Sequence, residues 1–411
     1  MKNLSFFHSL FPLSPARRSA LLLVGLAVNA GSLLSWALIG SIFGLHLLWA
    51  FLPAAVALLA AQKISIHLGA VTGKELTGLI RENFKLRTTG LMLTGLLLTD
   101  IINLIAQFAG IAVSLAIFGF SPWVTVPAAA LLIHWTAQKR LSPSAGKIFL
   151  LTGTLYSLFI AAGITGSPWA QVIPALRPLD LALESDYLMM LLALIGSIMA
   201  PRILLYSQSA ATKKSSAAAN PSHCRYFLAA SLFTVLFAFL LVGSYAGTLF
   251  AHNVDLLQTS IAALALQPLT GSWAPLLFAY ILLSASLFSA AAIPLSAAYS
   301  VCDVIGCKAG LDKSRQEAPV FHRSYTLILL LGALPILFPE PPYLHIMLWS
   351  QIANSIFLPF LLFFLLRLST SRNIMDLSSP CRIGNGITWI SSSFIGILLI
   401  LLTITALFPD Y

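Results

Sequence analysis

Charge is scarce in this chain. Only 9% of its 411 residues are Asp, Glu, Lys or Arg, and the acids number just 13. That scarcity excludes a soluble protein, because no water-facing surface for a chain of this length can be built while 58% of the residues are hydrophobic. Cysteine is also rare. The four thiols, Cys224, Cys302, Cys307 and Cys381, all fall at expected cytosolic boundaries and are expected to be reduced, and the spacing of Cys302 and Cys307 with His223 and His322 matches no metal motif. Catalytic signatures are missing too: there is no Gly-rich phosphate loop, no H-E-x-x-H and no paired intramembrane aspartates, so no enzyme, cofactor or metal centre is expected. The basic excess of +10 is scattered and lacks interleaved surface aromatics, which argues against a nucleic-acid partner.

What is present is a series of long apolar runs, the mark of an all-α polytopic membrane protein whose main partner is the lipid bilayer. Eleven spans are expected, at about 20–43, 47–68, 89–118, 121–138, 147–166, 187–212, 226–250, 273–303, 324–339, 343–366 and 388–408. With the amino terminus cytoplasmic and the carboxyl terminus external, every Lys and Arg except Arg177 and Arg202 falls on or near the inner side. This bias fits a bacterial inner membrane. Met1–Arg18 lacks the short apolar core and small-residue cleavage site of a signal peptide. Residues 71–87 are amphipathic, with Leu76, Leu79, Ile80 and Phe84 on one side, and read as an interfacial helix. All of 1–411 reads as one transmembrane domain.

Two spans are interrupted at their middles. The first carries Asn29, Ala30, Gly31 and Ser32; the sixth carries Ala200, Pro201 and Arg202. Breaks five spans apart, in helices running opposite ways, point to a 5+5 inverted repeat with repeats at about 18–166 and 187–368 and an extra helix at 388–408. Ser32 suits the cap of one second half-helix, and Pro201 suits the first turn of the other. The most unusual residue is Arg202. An arginine at mid-membrane costs at least ~2.5–3.5 kcal/mol on insertion scales. The next basic residue, Lys213, lies eleven positions on, about 16 Å along a helix, too far for easy snorkelling. A permanent cation beside two helix amino-terminal ends invites an anion. The competing account pairs Arg202 with Asp100, which also sits near the midplane of its span.

Residues 44–84, with the run V-T-G-K-E-L, closely resemble the second-span region of the natural resistance-associated macrophage protein (NRAMP) transporters of divalent metals. Residues 196–210 and 350–364 resemble their sixth and tenth spans. The resemblance runs from about residue 18 to 376 and implies a LeuT-like fold, eleven helices and alternating access. The departures fall on the substrate positions. Where the family has Asp-Pro-Gly-Asn, this chain has Asn29-Ala30-Gly31-Ser32, and the family's Met-Pro-His becomes Ala200-Pro201-Arg202. Thr99-Asp100 matches a family motif, but the glutamate three residues later is Asn103 and the second sixth-span histidine is Ser207. Arg323 falls in the basic pair of span nine, and Gln351 matches a family glutamine that approaches the substrate. A branch of NRAMP-like proteins without metal ligands resembles bicarbonate transporters, and this chain sits nearest that branch.

The expected function is therefore alternating-access transport of a small monovalent anion, with bicarbonate favoured because a guanidinium fork matches a planar oxyanion. Asn29, Ala30, Gly31, Ser32, Ala200, Pro201, Arg202 and Gln351 are the substrate-binding candidates; Asp100, Asn103, Ser207 and Arg323 are candidates for coupling or gating, with H⁺ or Na⁺ as the coupling ion. The alternatives are transport of Mg²⁺ or Mn²⁺ by rebuilt ligands, which Arg202 opposes electrostatically, and a non-transporting sensor or scaffold.

Overall fold

A computed structural model describes residues 15–138, 160–161, 164–165, 169–176, 184–212, 221–252, 271–311, 313–375 and 382–407. The regular elements among them are helical. The helices are α1 (Pro15–Ala27), α2 (Ala30–Phe43), α3 (Phe51–Thr72), α4 (Leu76–Asn83), α5 (Leu86–Ala116) and α6 (Pro122–Gln138). There follow α7 (Trp169–Ala175), α8 (Ser185–Ile198), α9 (Pro201–Thr212), α10 (Pro221–Thr248), α11 (Ala274–Ile305), α12 (Pro319–Ala333), α13 (Tyr343–Ser369), α14 (Arg372–Met375) and α15 (Arg382–Leu407). In hydrocarbon every backbone amide needs an internal partner, and unbroken helices are the direct way for these apolar runs to supply one.

Eight helical stretches among the described residues are long and apolar enough to cross a membrane, and nine if Ser19–Ala27 and Ala30–Phe43 form one span. The two halves of that pair are bent by 53°. At the fourth expected position α6 has 17 residues, one turn shorter than an ordinary span, and contains Pro127. The expected fifth span, at about 147–166, lies almost wholly outside the described residues, as do Arg177 and Cys381.

Both predicted breaks are present, and each has a local cause. α1 ends at Ala27 because Asn29 takes an extended conformation (φ −127°, ψ 174°) and serves as the N-cap of α2. α8 ends at Ile198, and α9 begins at Pro201, whose missing N–H is no loss in a first turn. The broken helices are neighbours: α1 touches α9, and α2 touches α8. Packing divides the helices into two sets. α5, α6, α11 and α12 pack on one another, whereas α1, α2 and α3 pack with α8, α9 and α10. Between the sets runs α13, against α5, α8 and α2. Two glycines let α13 approach the broken spans: a Cβ on Gly31 would strike the Gln351 and Ser350 side chains, and one on Gly196 would strike the Gln351 carbonyl.

The amphipathic segment is a helix packed on the protein. α4 buries Leu76, Leu79 and Ile80 against its own helices, with α5 and α11 among them, rather than leaving an apolar stripe for lipid. Its polar residues tie helix ends together: Thr77 Oγ1 donates to Asp303 Oδ2 at 3.0 Å, and Ser209 Oγ donates to Glu75 Oε1 at 2.7 Å.

Candidate substrate-binding site

α5 carries Asp100, Asn103 and Gln107 at helical spacing, so three polar side chains share one face of an otherwise apolar helix. That face meets both breaks and α13. Asn103 Nδ2 donates to Asn354 Oδ1 at 2.7 Å, and Asn354 Nδ2 donates to Gln351 Oε1 at 3.2 Å. Gln107 Oε1 accepts from the Ala30 amide at 3.1 Å, while its Nε2 donates to the Asn103 carbonyl at 3.1 Å and to Asn29 Oδ1 at 3.4 Å. A continuous belt of carboxamides thus crosses three helices at the level of the breaks. Left unpaired in an apolar interior, each such group would cost ~1–3 kcal/mol, so the belt fixes the relative placement of its helices.

The belt opens on a cavity of about 10 Å³, room for about one water molecule. Its wall consists of Leu26, Asn29, Asn103, Gln107, Ala200, Arg202, Ser289, Ile293 and Asn354. One charge lines it, the Arg202 guanidinium. The guanidinium is paired with the carboxylate of Asp100: Arg202 Nη2 donates to Asp100 Oδ1 at 2.5 Å, with the two side chains 13% and 8% exposed. Arg202 Nη1 also reaches Ser296 Oγ of α11 at 3.5 Å. The expectation of an unneutralised Arg202 is corrected here. The reason is geometric: α9 places Arg202 directly opposite the polar face of α5, where the attraction of two opposite charges at low dielectric outweighs leaving both alone.

The remaining candidates separate into those at the cavity and those around it. Asn29 and Ala200 line it. Ser32 is fully buried and completes a capping box: its amide donates to Asn29 Oδ1 at 3.2 Å, and its hydroxyl accepts from the Asn29 amide at 2.9 Å. Asn29, not Ser32, is therefore the N-cap of α2. With Asn29 and Gln107 accepting from the first amides of α2, the positive end of that half-helix is largely satisfied within the protein. Ala30, Gly31 and Pro201 shape the breaks without lining the cavity, and Gln351 lies behind the wall, donating to Ser350 Oγ at 2.8 Å. Ser207 is further along α9, where it accepts from Gln62 Nε2 at 3.0 Å. Arg323 stands exposed in the first turns of α12. Gln107 and Asn354 escaped the sequence reading. The spacing 100, 103, 107 was the available signal for the first; Asn354, three residues after Gln351, had an equivalent one.

The chain matches the model of the family described as natural resistance-associated macrophage protein-like over residues 20–405. No curated protein matched it by sequence. Among solved structures it is similar to the Eremococcus coleocola manganese transporter in complex with an aromatic bis-isothiourea substituted compound, with a TM-score of 0.73 at 17% identity over 95% of this chain and 85% of that one. A variant of the same transporter gives a TM-score of 0.72 at 18% identity, covering 100% of this chain and 90% of its own. Mhp1, a nucleobase-cation-symport-1 family transporter, is similar at 0.56 and 12% identity, over 95% of this chain and 90% of its own. These likenesses carry the LeuT-like fold. With its two broken spans packed around a polar midplane cavity, the chain belongs to the natural resistance-associated macrophage protein family and is a multi-pass membrane transporter.

Proposed function

We propose that this protein transports a small monovalent oxyanion, bicarbonate in the first instance, by alternating access around Arg202. One observation carries the reading: the charged group on the cavity wall is a guanidinium, and among the described residues no carboxylate lines that wall. Arg202 alone would repel a desolvated dication there by about 6–8 kcal/mol at 4–6 Å and an effective dielectric of ~20, and the Asp100 carboxylate paired with it offsets part of that. For an anion the sign reverses. The planar fork offers two parallel N–H donors to a planar oxyanion, and the carboxamides of Asn29, Asn103 and Asn354 can serve its other oxygens and a bicarbonate O–H. Four heavy atoms exceed the present cavity, so binding goes with a more open state. The two packed sets of helices supply the moving parts, the set containing both broken spans rocking against the set built on α5 and α11. The basic residues favour an inner membrane, amino terminus inside.

Transport of Mg²⁺ or Mn²⁺ is the second reading, favoured by the similarity to a manganese transporter and by the carboxylate of Asp100 on the same helix face as the carboxamides of Asn103 and Gln107. It requires Arg202 to leave. Purified protein in proteoliposomes separates the two readings, with isotopic bicarbonate uptake measured beside Mn²⁺ and Mg²⁺ flux. Bicarbonate uptake without Mn²⁺ flux, abolished by Arg202→Ala, is expected. Robust Mn²⁺ flux in the parent, rising in Arg202→Ala, would establish the cation reading instead.

A further inference from the structure

We infer that Asp100 is the built-in competitor of the transported anion, and that a proton taken up by Asp100 accompanies each anion, so that the site stays neutral and transport moves no net charge. The inference rests on the anion reading above. Its starting point is the geometry of one side chain. Arg202 already holds a carboxylate, through Nη2 on Asp100 Oδ1, while the same guanidinium forms part of the cavity wall. An incoming oxyanion presents to that fork the same chemistry as Asp100. The two carboxylate-like groups must share or exchange one guanidinium.

Charge counting decides which. With the pair closed, Asp100⁻ and Arg202⁺ sum to zero. Adding an anion while Asp100 stays ionised leaves the site at −1, with two negative groups on one guanidinium deep in hydrocarbon, the arrangement that membrane interiors most strongly disfavour. If Asp100 takes a proton from water as the anion arrives, Asp100–OH, Arg202⁺ and the anion again sum to zero. The protonated carboxyl then needs an acceptor, and the side-chain oxygens of the belt, Asn103 Oδ1 among them, lie on the same face of α5. Empty and loaded sites are both neutral, so both can cross between inward and outward states without carrying charge through the bilayer.

Among the described residues, no other charge takes this role at the same place. The charged group acting on Asp100 is Arg202 of α9. From α5 itself and from α13 the groups at this level are the neutral Asn103, Gln107 and Asn354; from the first break, Asn29; from α11, Ser289 and Ser296. The ionisable residues of the helices packed on α5, such as Asp303, Arg323 and Arg367, stand at helix ends.

The test uses full-length protein in proteoliposomes, with isotopic bicarbonate uptake measured at imposed membrane potentials of either sign and bicarbonate-jump currents recorded on solid-supported membranes. Diffusing CO₂ carries no current and does not respond to voltage. The parent should show protein-dependent uptake that is unaffected by voltage, with no steady current. Asp100→Asn, in which the empty site is +1 and the loaded site neutral, should give uptake that responds to voltage and a measurable current; Asp100→Glu should restore electroneutrality. The parent measurement needs no variant, so a poorly folding Asp100→Asn does not blunt the test. Voltage-dependent uptake by the parent, or Asp100→Asn uptake as electroneutral as the parent's, overturns the inference and leaves anion transport standing. Parent uptake no greater than in empty liposomes overturns the anion reading and this inference together.

Discussion

Removing Arg202 should cost this protein more stability than any other single change at the cavity, and the cost should vanish when Asp100 goes with it. Arg202 and Asp100 meet at 2.5 Å with 13% and 8% of their side chains exposed. Two unit charges about 4 Å apart attract by ~4 kcal/mol at an effective dielectric of ~20. Breaking a buried pair by deleting one member costs ~3–5 kcal/mol, because the survivor remains desolvated without compensation. Replacing both members by apolar residues of similar volume is often neutral or stabilising. Arg202→Ala and Asp100→Asn should therefore each lower the unfolding free energy by ~3–5 kcal/mol. The double variant Arg202→Met with Asp100→Leu should return to within ~1 kcal/mol of the parent. Reversible unfolding in mixed micelles of mild detergent and SDS gives these differences as shifts in the midpoint. Single losses below ~1 kcal/mol, or a double variant that loses the sum of the two, would show that the pair does not carry the energy assigned to it. In the same samples Arg202→Met with Asp100→Leu should move no bicarbonate, which separates a stable fold from a working site.

Two further changes test the breaks. Asn29→Ala removes the acceptor for the Ser32 amide and should destabilise the protein by ~0.5–2 kcal/mol, whereas Asn29→Asp or Asn29→Ser should retain most of the cap; the same SDS titration reads the difference. Gly196→Ala puts a methyl group against the Gln351 carbonyl and Ser355 Oγ, and backbone cannot move aside as a side chain can, so a loss of ~1–3 kcal/mol and reduced uptake are expected; unchanged stability would mean that α8 and α13 do not approach so closely.

The architecture was legible because apolar runs of membrane length and their punctuation are local signals. Pro201 and the polar residues Asn29 and Ser32 interrupt otherwise continuous spans, and the structure breaks its helices there. Less legible was anything that depends on which helices face each other. Arg202 and Asp100 are 102 residues apart, and only the packing of α9 opposite α5 brings them together. The N-cap of α2 fell on Asn29 rather than Ser32 for a related reason: either residue type can cap a helix, and the choice depends on the register at which α2 begins. What covers the apolar side of α4 was not legible, because an amphipathic stripe looks the same in sequence whether lipid or protein covers it.

The ion pair is not adequately explained as a structural strut. Buried ion pairs are weak sources of stability, and an apolar pair of equal volume would hold α9 to α5 at least as well. Nor does the pair look inward as a strut would. Its guanidinium forms part of the wall of a space beside both helix breaks, while Asp100 is not among the wall residues. A membrane protein that needed only adhesion would have no use for that orientation. One that must release a counter-ion, admit a substitute of the same shape and remain neutral throughout requires a cation facing the cavity and a proton-accepting anion paired with it.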